Sequence, residues 1–304
     1  MKNKLVLRLS NNLGNQMFMY ASAYAISRRL DRELLIDNES SYMARNNFHK
    51  YNLNIFNFTS KIASNKYKYK DFYGYLIRKI LKKIDIFKNK KRFYIEEKDH
   101  NKITYFNESY LKTSFASDIY MEGHFECEKY FTEFTNEIKQ EFTFKNHNSF
   151  LSNKYYNDIR NSNSVCLCVR QNRFSEKKRN ITKIDDEKSL VFTKDQIEYI
   201  NKSINIINSK ITNPKFFLWS NNLEDLKNYF PPNKFTHVST NQIDLDLFLM
   251  TQAKHFVVIP STFNWWGAWL NSYQKGIILR PSDKFFTNFA INNKNFWPKD
   301  WLVV

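Results

Sequence analysis

Short apolar runs alternate with helix-length segments along almost the whole chain, and this alternation limits the fold more than any other feature. At the start, KLVLRLS is typical of a strand, NNLGN of a tight loop, QMFMYASAYAISRRL of a helix and ELLID of the next strand. A second series of strands and helices begins at SVCLCVR and ends at GIILRP, the last strand that we predict. The pattern therefore predicts an α/β fold with two Rossmann-like domains, residues 1–155 and 156–304.

Some segments are less regular than this alternation. Residues 40–115, approximately, form a basic aromatic insertion in the first domain, in which the pattern does not assign strands and helices. The spacing of apolar residues predicts helices for ECEKYFTEFTNEIKQEF and for LEDLKNYF. The first loop contains only one glycine, Gly14, but Asn11 and Asn12 tolerate the left-handed backbone that a tight turn needs.

The composition is that of a folded protein with real cores. The chain has 304 residues, of which 42% are hydrophobic and 17% aromatic. Three cysteines, an odd number, fit a reducing compartment. The apolar run in MKNKLVLRLSNN is too short for a signal peptide, and no run reaches the ~18 residues of a membrane span. We therefore expect a soluble cytoplasmic protein.

The formal net charge of +17 is concentrated in part between residues 61 and 92. There, DFYGYLIRKILKKIDIF predicts an amphipathic helix. Its apolar face would carry Tyr73, Leu76, Ile77, Ile80, Ile84 and Phe87, and its opposite face Arg78, Lys79, Lys82 and Lys83. One interpretation is a surface helix packed on its own domain. Another is that residues 72–92 contact an anionic membrane, such as the inner face of the plasma membrane. Nucleic acid is the third, although no nucleic-acid-binding motif is present.

The segment VCLCVR raises the question of a metal or redox site. Apolar residues at every position predict a strand buried on both faces, with Cys166 and Cys168 as free thiols. A zinc site with His124 and Cys127 is the alternative, but no CxxC pair supports it. Arg170 follows the strand, and ligands of α/β sheets collect at the carboxyl ends of strands.

Three motifs carry a family resemblance: LSNNLGNQMFMYASAYA near the start, CVRQNRF in mid-chain and PSTFNWWGAWL near the end. In this order they resemble the bacterial α-1,2-fucosyltransferases (glycosyltransferase family 11-like), which carry GGLGNQMFQYA, HxRRGDY and NSSFSWWxAWL. The C-terminal RPSDKFF and NFWPKDWLVV also resemble the family's tail. The resemblance implies an inverting, GDP-fucose-dependent enzyme with a GT-B-like fold, in which an acceptor-side domain and a GDP-sugar-binding domain face each other across a cleft.

Two departures from the family pattern leave the donor sugar open. The HxRRGD segment is CVRQNR here (residues 168–173), so the first arginine remains while the histidine, the second arginine and the acid are absent. The family's Ser-Asp-Asp after the middle strand is Ser220, Asn221 and Asn222. Either the donor pocket is rearranged, or the donor is another GDP-deoxysugar such as colitose.

The chemistry requires stabilisation of the departing diphosphate. Arg170 can hold the β-phosphate with paired hydrogen bonds, and Arg173, Lys177 and Lys178 can add positive potential. Ser261 and Thr262 precede a helix whose N-terminal amides can bind phosphate. Asp244-Leu245-Asp246 matches the metal-binding DxD pattern, but acids in the first turn of a helix explain it better. We therefore expect no metal requirement and no cofactor beyond the GDP-sugar substrate.

Other candidates come from the resemblance. Asp246 stands where related enzymes have a carboxylate for guanine, with a helix cap as the alternative. Asn15 resembles the asparagine near the donor phosphate and acceptor, with helix capping as its alternative. The remaining donor-binding candidates are Asn12, Gly14, Gln16, Ser220, Asn222 and Phe263. For the catalytic base the candidates are His124 and Glu126 in GHFE, and a purely structural histidine is the alternative.

The expected function is transfer of L-fucose from GDP-fucose to the 2-hydroxyl of a galactoside, on a lipid-linked oligosaccharide of a surface polysaccharide such as O-antigen. Transfer of colitose is a close variant. A different class of function is an inactive transferase scaffold that binds RNA or an acidic membrane. Against it, Arg170, Ser261 and the Asn15 loop all remain, and nucleic-acid binding would not require them. We therefore expect no nucleic-acid partner.

Overall fold

The structure is a computed structural model and describes residues 2–43, 49–175, 180–273, 275–282 and 294–304. Two compact units divide between Lys145 and Asn146, with residues 294–298 joining the first unit and 299–304 the second. The boundary expected between residues 155 and 156 falls inside a helix, Lys154–Asn161, that packs on the first strand of the second unit.

The first unit is a five-stranded sheet, all parallel, with helices around it. Its elements are β1 (Lys4–Arg8), α1 (Leu13–Arg29), β2 (Glu33–Asp37), β3 (Lys61–Ile62), α2 (Asp71–Asp85), β4 (Lys91–Ile95), β5 (Phe115–Glu122) and α3 (Thr135–Glu141). The strand order is β3-β2-β1-β5-β4. β1 lies at the centre, where Leu5 pairs with Leu34 on one side and Ile119 on the other. The predicted βαβ opening is confirmed.

The second unit is a six-stranded parallel sheet. Its elements are α4 (His147–Phe150), α5 (Lys154–Asn161), β6 (Asn163–Val169), α6 (Lys183–Lys210), β7 (Pro214–Ser220), β8 (Phe235–His237), α7 (Ile243–Thr251), β9 (His255–Val257), α8 (Thr262–Trp269), β10 (Ile278–Arg280) and β11 (Leu302–Val303). The order is β11-β10-β9-β6-β7-β8. Counted along the chain from β6, this is the 3-2-1-4-5-6 order of a Rossmann fold, so the chain reverses direction across the sheet between β6 and β9.

The core of the second unit confirms that β6 is a buried strand. β6 is buried from Ser164 to Val169, as its uninterrupted apolar sequence indicates. Trp265 and Trp266 are fully buried core residues, and their rings meet edge to face at 4.9 Å. The Asp244-Leu245-Asp246 sequence lies in the first turn of α7, as expected for acids at a helix N-terminus.

One predicted helix is wrong and another is shorter than predicted. LEDLKNYF forms only a single turn, Glu224–Leu226. In ECEKYFTEFTNEIKQEF, two short turns precede α3. The break at Phe131, with φ −134°, lets the neighbouring Tyr130 and Phe131 both be buried. GIILRP is also not the last strand, since β11 pairs beside it.

Among the helices of the described residues, none is both long enough and apolar enough to cross a bilayer.

Candidate functional site

The carboxyl edge of the first sheet brings together the loop after β1 and the loop after β5. These two strands are neighbours, and they lie where the strand order reverses, which is the position where α/β sheets bind ligands. Asn11 begins the turn into α1 with φ +59°, so an asparagine does take the left-handed conformation there. The Asn11 amide nitrogen donates to His124 Nε2 over 2.7 Å and so joins the two loops.

The predicted donor-binding residues of the first loop have different surroundings. Gln16 is fully buried, and its amide nitrogen donates to the carbonyls of Asn11 and Lys50 at 2.7 and 2.6 Å. Its oxygen accepts from Asn52 N over 2.9 Å, so Gln16 fixes the loop. Asn12 Oδ1 lies 2.7 Å from His49 Nδ1 and makes no side-chain cap to α1. Gly14 is buried within the first turn of α1.

A half-buried glutamate, Glu96, shapes the loop after β5. Glu96 accepts from the backbone N–H groups of His124 and Phe125 at 2.8 and 2.9 Å. Burial raises the pKa of Glu96, although these two hydrogen bonds oppose the shift. Gly123 has φ +143°, and a Cβ there would lie 2.3 Å from Glu96 Cβ, so only glycine fits. Sequence reasoning missed Glu96, since it contacts this loop only through the fold.

His124 and Glu126, the two candidate bases, lie side by side. His124 Nδ1 is 3.7 Å from Glu126 Oε1, and Asn15 donates a hydrogen bond to the same oxygen. The His124 side chain is 41% exposed, so a ligand can reach it. Burial, followed by the charges of Lys98 and His49, lowers the pKa of His124 from its ordinary 6.5. The imidazole is therefore neutral near pH 7 and can accept a proton.

The hydrogen bond from Asn11 fixes the His124 tautomer. Because the amide nitrogen donates, Nε2 is the acceptor and the imidazole proton lies on Nδ1, toward Glu126. The order carboxylate, Nδ1–H and basic Nε2 matches that of a histidine base supported by a carboxylate, but at 3.7 Å Glu126 is beyond hydrogen-bond distance of Nδ1.

The carboxyl edge of the second sheet has its reversal of strand order between β6 and β9. Arg170 follows β6, and its backbone N–H and C=O are both bonded to the side-chain amide of Gln196 at 2.8 and 2.9 Å. Gln196 is fully buried in α6, and it holds the backbone of Arg170 at the strand end. Sequence reasoning missed this contact, because Ser189 and Ser203 are also buried on α6 and Gln196 does not stand out among them.

The two departures from the family pattern are in contact. Gln171 N donates to Asn221 Oδ1 over 2.8 Å, and Asn221 Nδ2 donates to Gln171 O over 3.2 Å. Gln171 Nε2 also donates to Ser220 Oγ over 3.0 Å and to the Asn222 carbonyl. These neutral amide pairs join the ends of β6 and β7. At the family's glycine position, Asn172 has φ +54°, so the backbone shape of the motif survives the substitution.

The predicted donor-binding residues after β7 also serve the local turn. Asn222 Nδ2 donates to Asp225 over 2.6 Å, and its oxygen accepts from Glu224 N over 3.1 Å. Ser220 Oγ accepts from Asn222 N over 3.2 Å. Arg173 lies half-buried in the loop after β6, while Lys177 and Lys178 fall outside the described residues.

Asp246 places a buried carboxylate oxygen in the first turn of α7. Its Oδ1 and the Trp219 indole Nε1 are both buried, and neither has a well-aligned hydrogen-bond partner among the residues that the structure describes. Burial raises the pKa of Asp246, although hydrogen bonding from Thr240 and Trp219, which lie beside the carboxylate, opposes the shift. Because these two groups leave Oδ1 without a well-aligned donor, it is a candidate acceptor for a ligand N–H.

The N-terminus of α8 follows β9 and lies on the other side of the strand-order reversal from Arg170. Ser261 is the N-cap residue, but its hydroxyl makes no cap to the helix, and Thr262 and Phe263 are half-buried in the first turn. Asn264, buried beneath them, accepts from Ile259 N over 2.9 Å and fixes the approach of the chain. Sequence reasoning missed Asn264. Helix N–H groups and a hydroxyl at this point can bind phosphate oxygens.

The cysteines are buried free thiols, as predicted from the strand pattern. Burial raises the pKa of Cys166 well above its ordinary value and that of Cys127 to about 12, so both are protonated. Over the five described ranges, no group of three or more His, Cys, Asp and Glu side chains could hold a metal ion.

Comparison with known proteins identifies the family. The chain is 28% identical over 308 residues to an alpha-1,2-colitosyltransferase of Escherichia coli, with 99% of this chain and 98% of that protein covered. It is 23% identical over 331 residues to the Escherichia coli O-antigen biosynthesis glycosyltransferase WbnK, covering 97% and 98%.

The fold also matches a solved structure. The NodZ alpha-1,6-fucosyltransferase of Bradyrhizobium, in a crystal soaked with GDP-fucose, superposes with a TM-score of 0.53 at 15% identity, covering 89% of this chain and 93% of that one. The two parallel-sheet α/β units are therefore those of a GT-B-like fold. The sequence profile described as Glycosyl transferase family 11 matches residues 1–304. The chain is a glycosyltransferase and belongs to glycosyl transferase family 11.

Proposed function

We propose that this glycosyltransferase moves a 6-deoxy sugar from GDP to the 2-hydroxyl of a galactoside, with inversion, during surface polysaccharide synthesis. The observation that carries the proposal is the buried Asp246 Oδ1, which lacks a well-aligned donor, at the start of α7 in the unit whose strand-order reversal presents Arg170 and the α8 N-terminus. Guanine offers adjacent N1–H and N2–H donors, which suit one carboxylate. Similarity to an alpha-1,2-colitosyltransferase supports the sugar class and the linkage.

For the donor half of the reaction, charge develops on the β-phosphate as the glycosidic bond breaks. The guanidinium of Arg170 can form two parallel hydrogen bonds to phosphate oxygens. The N-terminal amides of α8, together with Ser261 and Thr262, add fixed positive dipoles. We propose that these groups stabilise the leaving GDP without a divalent cation.

For the acceptor half, we propose His124 as the base. The acceptor hydroxyl takes the place of the Asn11 amide at Nε2 and gives its proton to the neutral imidazole as the new glycosidic bond forms. Glu126, 3.7 Å from Nδ1, then stabilises the imidazolium, and Asn15 holds Glu126.

Two donors are the leading candidates. The family motifs and the similarity to NodZ favour L-fucose as the transferred sugar. The similarity to the colitosyltransferase and the neutral Gln171–Asn221 pair at the altered motif favour colitose. The experiment is turnover with GDP-fucose and with GDP-colitose on a galactoside acceptor, measured as released GDP and as the linkage of the product. Transfer of either sugar to the 2-hydroxyl supports the proposal, and the ratio of the two kcat/KM values identifies the donor. Absence of turnover with both, for protein that still binds GDP, would refute it.

A further inference from the structure

Helix α2 is amphipathic, and its polar side faces the protein. Arg78 donates from Nε and Nη2 to the two carboxylate oxygens of Glu122, each over 2.5 Å, and Lys82 donates to Glu122 over 2.9 Å. Both side chains are largely buried, as is Glu122. Although burial opposes it, these hydrogen bonds lower the pKa of Glu122. The helix therefore packs on its own domain, as one interpretation of the sequence has it, but it does so through Arg78 and Lys82 and not through its apolar face.

The apolar side of α2 is left in solvent. Tyr73, Ile77, Ile80 and Ile84 recur at the spacing of one helical face, and each is at least 45% exposed. Beyond the helix, Ile86 is 70% and Phe87 88% exposed. Within α2 the only buried residue is Asp85, which accepts from the N–H groups of Arg92 and Phe93. Solvent-exposed apolar surface of this extent on one element marks an interaction site.

Exposed cations border this apolar face. Lys79 and Lys83 lie on α2, and Lys88 and Lys90 follow it, all four of them exposed. Lys79 Nζ lies 4.9 Å from the centroid of the exposed Tyr75 ring. The surface thus combines branched aliphatic side chains, aromatic rings and lysines.

This combination selects one kind of occupant. A second copy of the chain would bring like-charged lysines together across the contact, which is unfavourable. Nucleic acid would use the lysines but would leave the aliphatic residues without partners. An anionic bilayer surface accepts aliphatic side chains below the headgroups, aromatic rings at their level and lysines at the phosphates.

We propose that α2 and the segment to Lys90 dock the protein on an anionic lipid surface through the face defined by Tyr73, Ile77, Ile80, Ile84 and Phe87. The Arg78–Glu122 and Lys82–Glu122 ion pairs hold the helix with this face outward. Glu122 ends β5, directly before the loop that carries His124, so docking fixes the proposed acceptor loop relative to the lipid surface. Only this last consequence, access to a lipid-linked acceptor, rests on the proposed function.

The test is co-sedimentation of the full chain with phosphatidylethanolamine–phosphatidylglycerol vesicles and with phosphatidylcholine vesicles. Wild type should bind the first and not the second. Each lysine near an anionic surface adds on the order of a fivefold affinity, so replacing Lys79, Lys83, Lys88 and Lys90 with Glu should release at least about 90% of the bound protein. Ile77→Gln with Ile80→Gln and Ile84→Gln should release it as well, with the charge unchanged. Both variants should keep wild-type GDP binding.

The matched control replaces Lys112, Lys188, Lys194 and Lys210 with Glu. These lysines are also exposed and lie on other elements, so the control lowers the net charge by the same amount. It should stay bound. Equal loss in both lysine variants would show that general charge, not α2, drives binding. A dimer in sedimentation equilibrium that the isoleucine variant abolishes would assign the face to a second copy, and RNA binding lost in the same variant would assign it to nucleic acid. Each of these results would overturn the proposal. Turnover on a soluble galactoside tests the proposed function separately.

Discussion

The groups proposed for proton transfer at the first ligand edge and for guanine binding at the second differ in how they are held. At the first, Asn11 bonds His124, and Asn15 bonds Glu126. At the second, Asp246 Oδ1 is buried without a well-aligned donor among the described residues, although Thr240 and Trp219 lie beside the carboxylate. We propose that the first edge moves a proton within a preformed set of groups, and that a ligand with its own hydrogen-bond donors completes the second.

The largest expected effect comes from Arg170 at the second edge. Its interaction strengthens as charge develops on the leaving diphosphate, so it contributes to the transition state more than to ground-state binding. Arg170→Ala should raise the barrier by roughly 3–5 kcal/mol, and Arg170→Lys, which keeps the charge but loses the planar fork, should still lower kcat severely. Steady-state kinetics measures both. A variant without the guanidinium that turns over at the wild-type rate would remove Arg170 from the mechanism.

The next effect tests the first edge. His124→Gln should lower kcat by about 10²–10³-fold, because it removes the proposed base while the imidazole's neighbours remain. Glu126→Gln should cost less, since the base remains and only the charge that stabilises the imidazolium is lost. The His124 pKa is lowered in the free enzyme, so the neutral base persists as the pH falls through 6.5, and the acid limb of kcat/KM should lie below 6.5. Loss of that limb in His124→Gln distinguishes a base from a structural histidine.

Some of the features on which these predictions depend can be predicted from the sequence, and others cannot. Periodic apolar runs predict both sheets, and the strand end predicts Arg170, because these features are local. Glu96 and Gln196 could not be predicted as supports of His124 and Arg170, since they reach those loops only after the strands pair. The orientation of α2 could not be predicted for the same reason. The spacing of its apolar residues defines an apolar and a polar face, but Glu122, which binds the polar face and so turns the apolar face outward, lies more than one element away in the chain.

Asp246→Asn should have smaller effects: it should raise the stability of the fold and lower the affinity for GDP. Without ligand, the buried carboxylate has a raised pKa, so it stabilises the fold when protonated, and that contribution is lost as the pH rises through its folded pKa. Asn cannot ionise, and the variant should therefore be more stable than wild type at neutral pH, by about 1 kcal/mol. GDP affinity should fall by about 1.5–3 kcal/mol, because a guanine N–H loses its charged acceptor.

Thermal unfolding and calorimetric titration with GDP measure the two changes. Wild-type GDP affinity should also weaken as the pH falls through the raised pKa of Asp246, and the variant should lack that dependence. A variant that loses stability and keeps GDP affinity would make Asp246 a structural helix residue, the alternative that its place in the first turn of α7 allows.

The smallest effects are expected from the thiols and from metal removal. Cys168 is buried near the end of β6, where it pairs with Trp219 of β7, and its thiol is not among the groups proposed to contact a ligand. Cys168→Ser should lower stability by about 1 kcal/mol, since it buries a more polar group, and should leave kcat within about twofold. EDTA should not change the wild-type rate, because the proposed stabilisation of GDP comes from Arg170 and the α8 amides. Inactivation by EDTA with recovery on added manganese would instead place a cation at the second edge, and the buried Oδ1 of Asp246 would be the first position to examine for it.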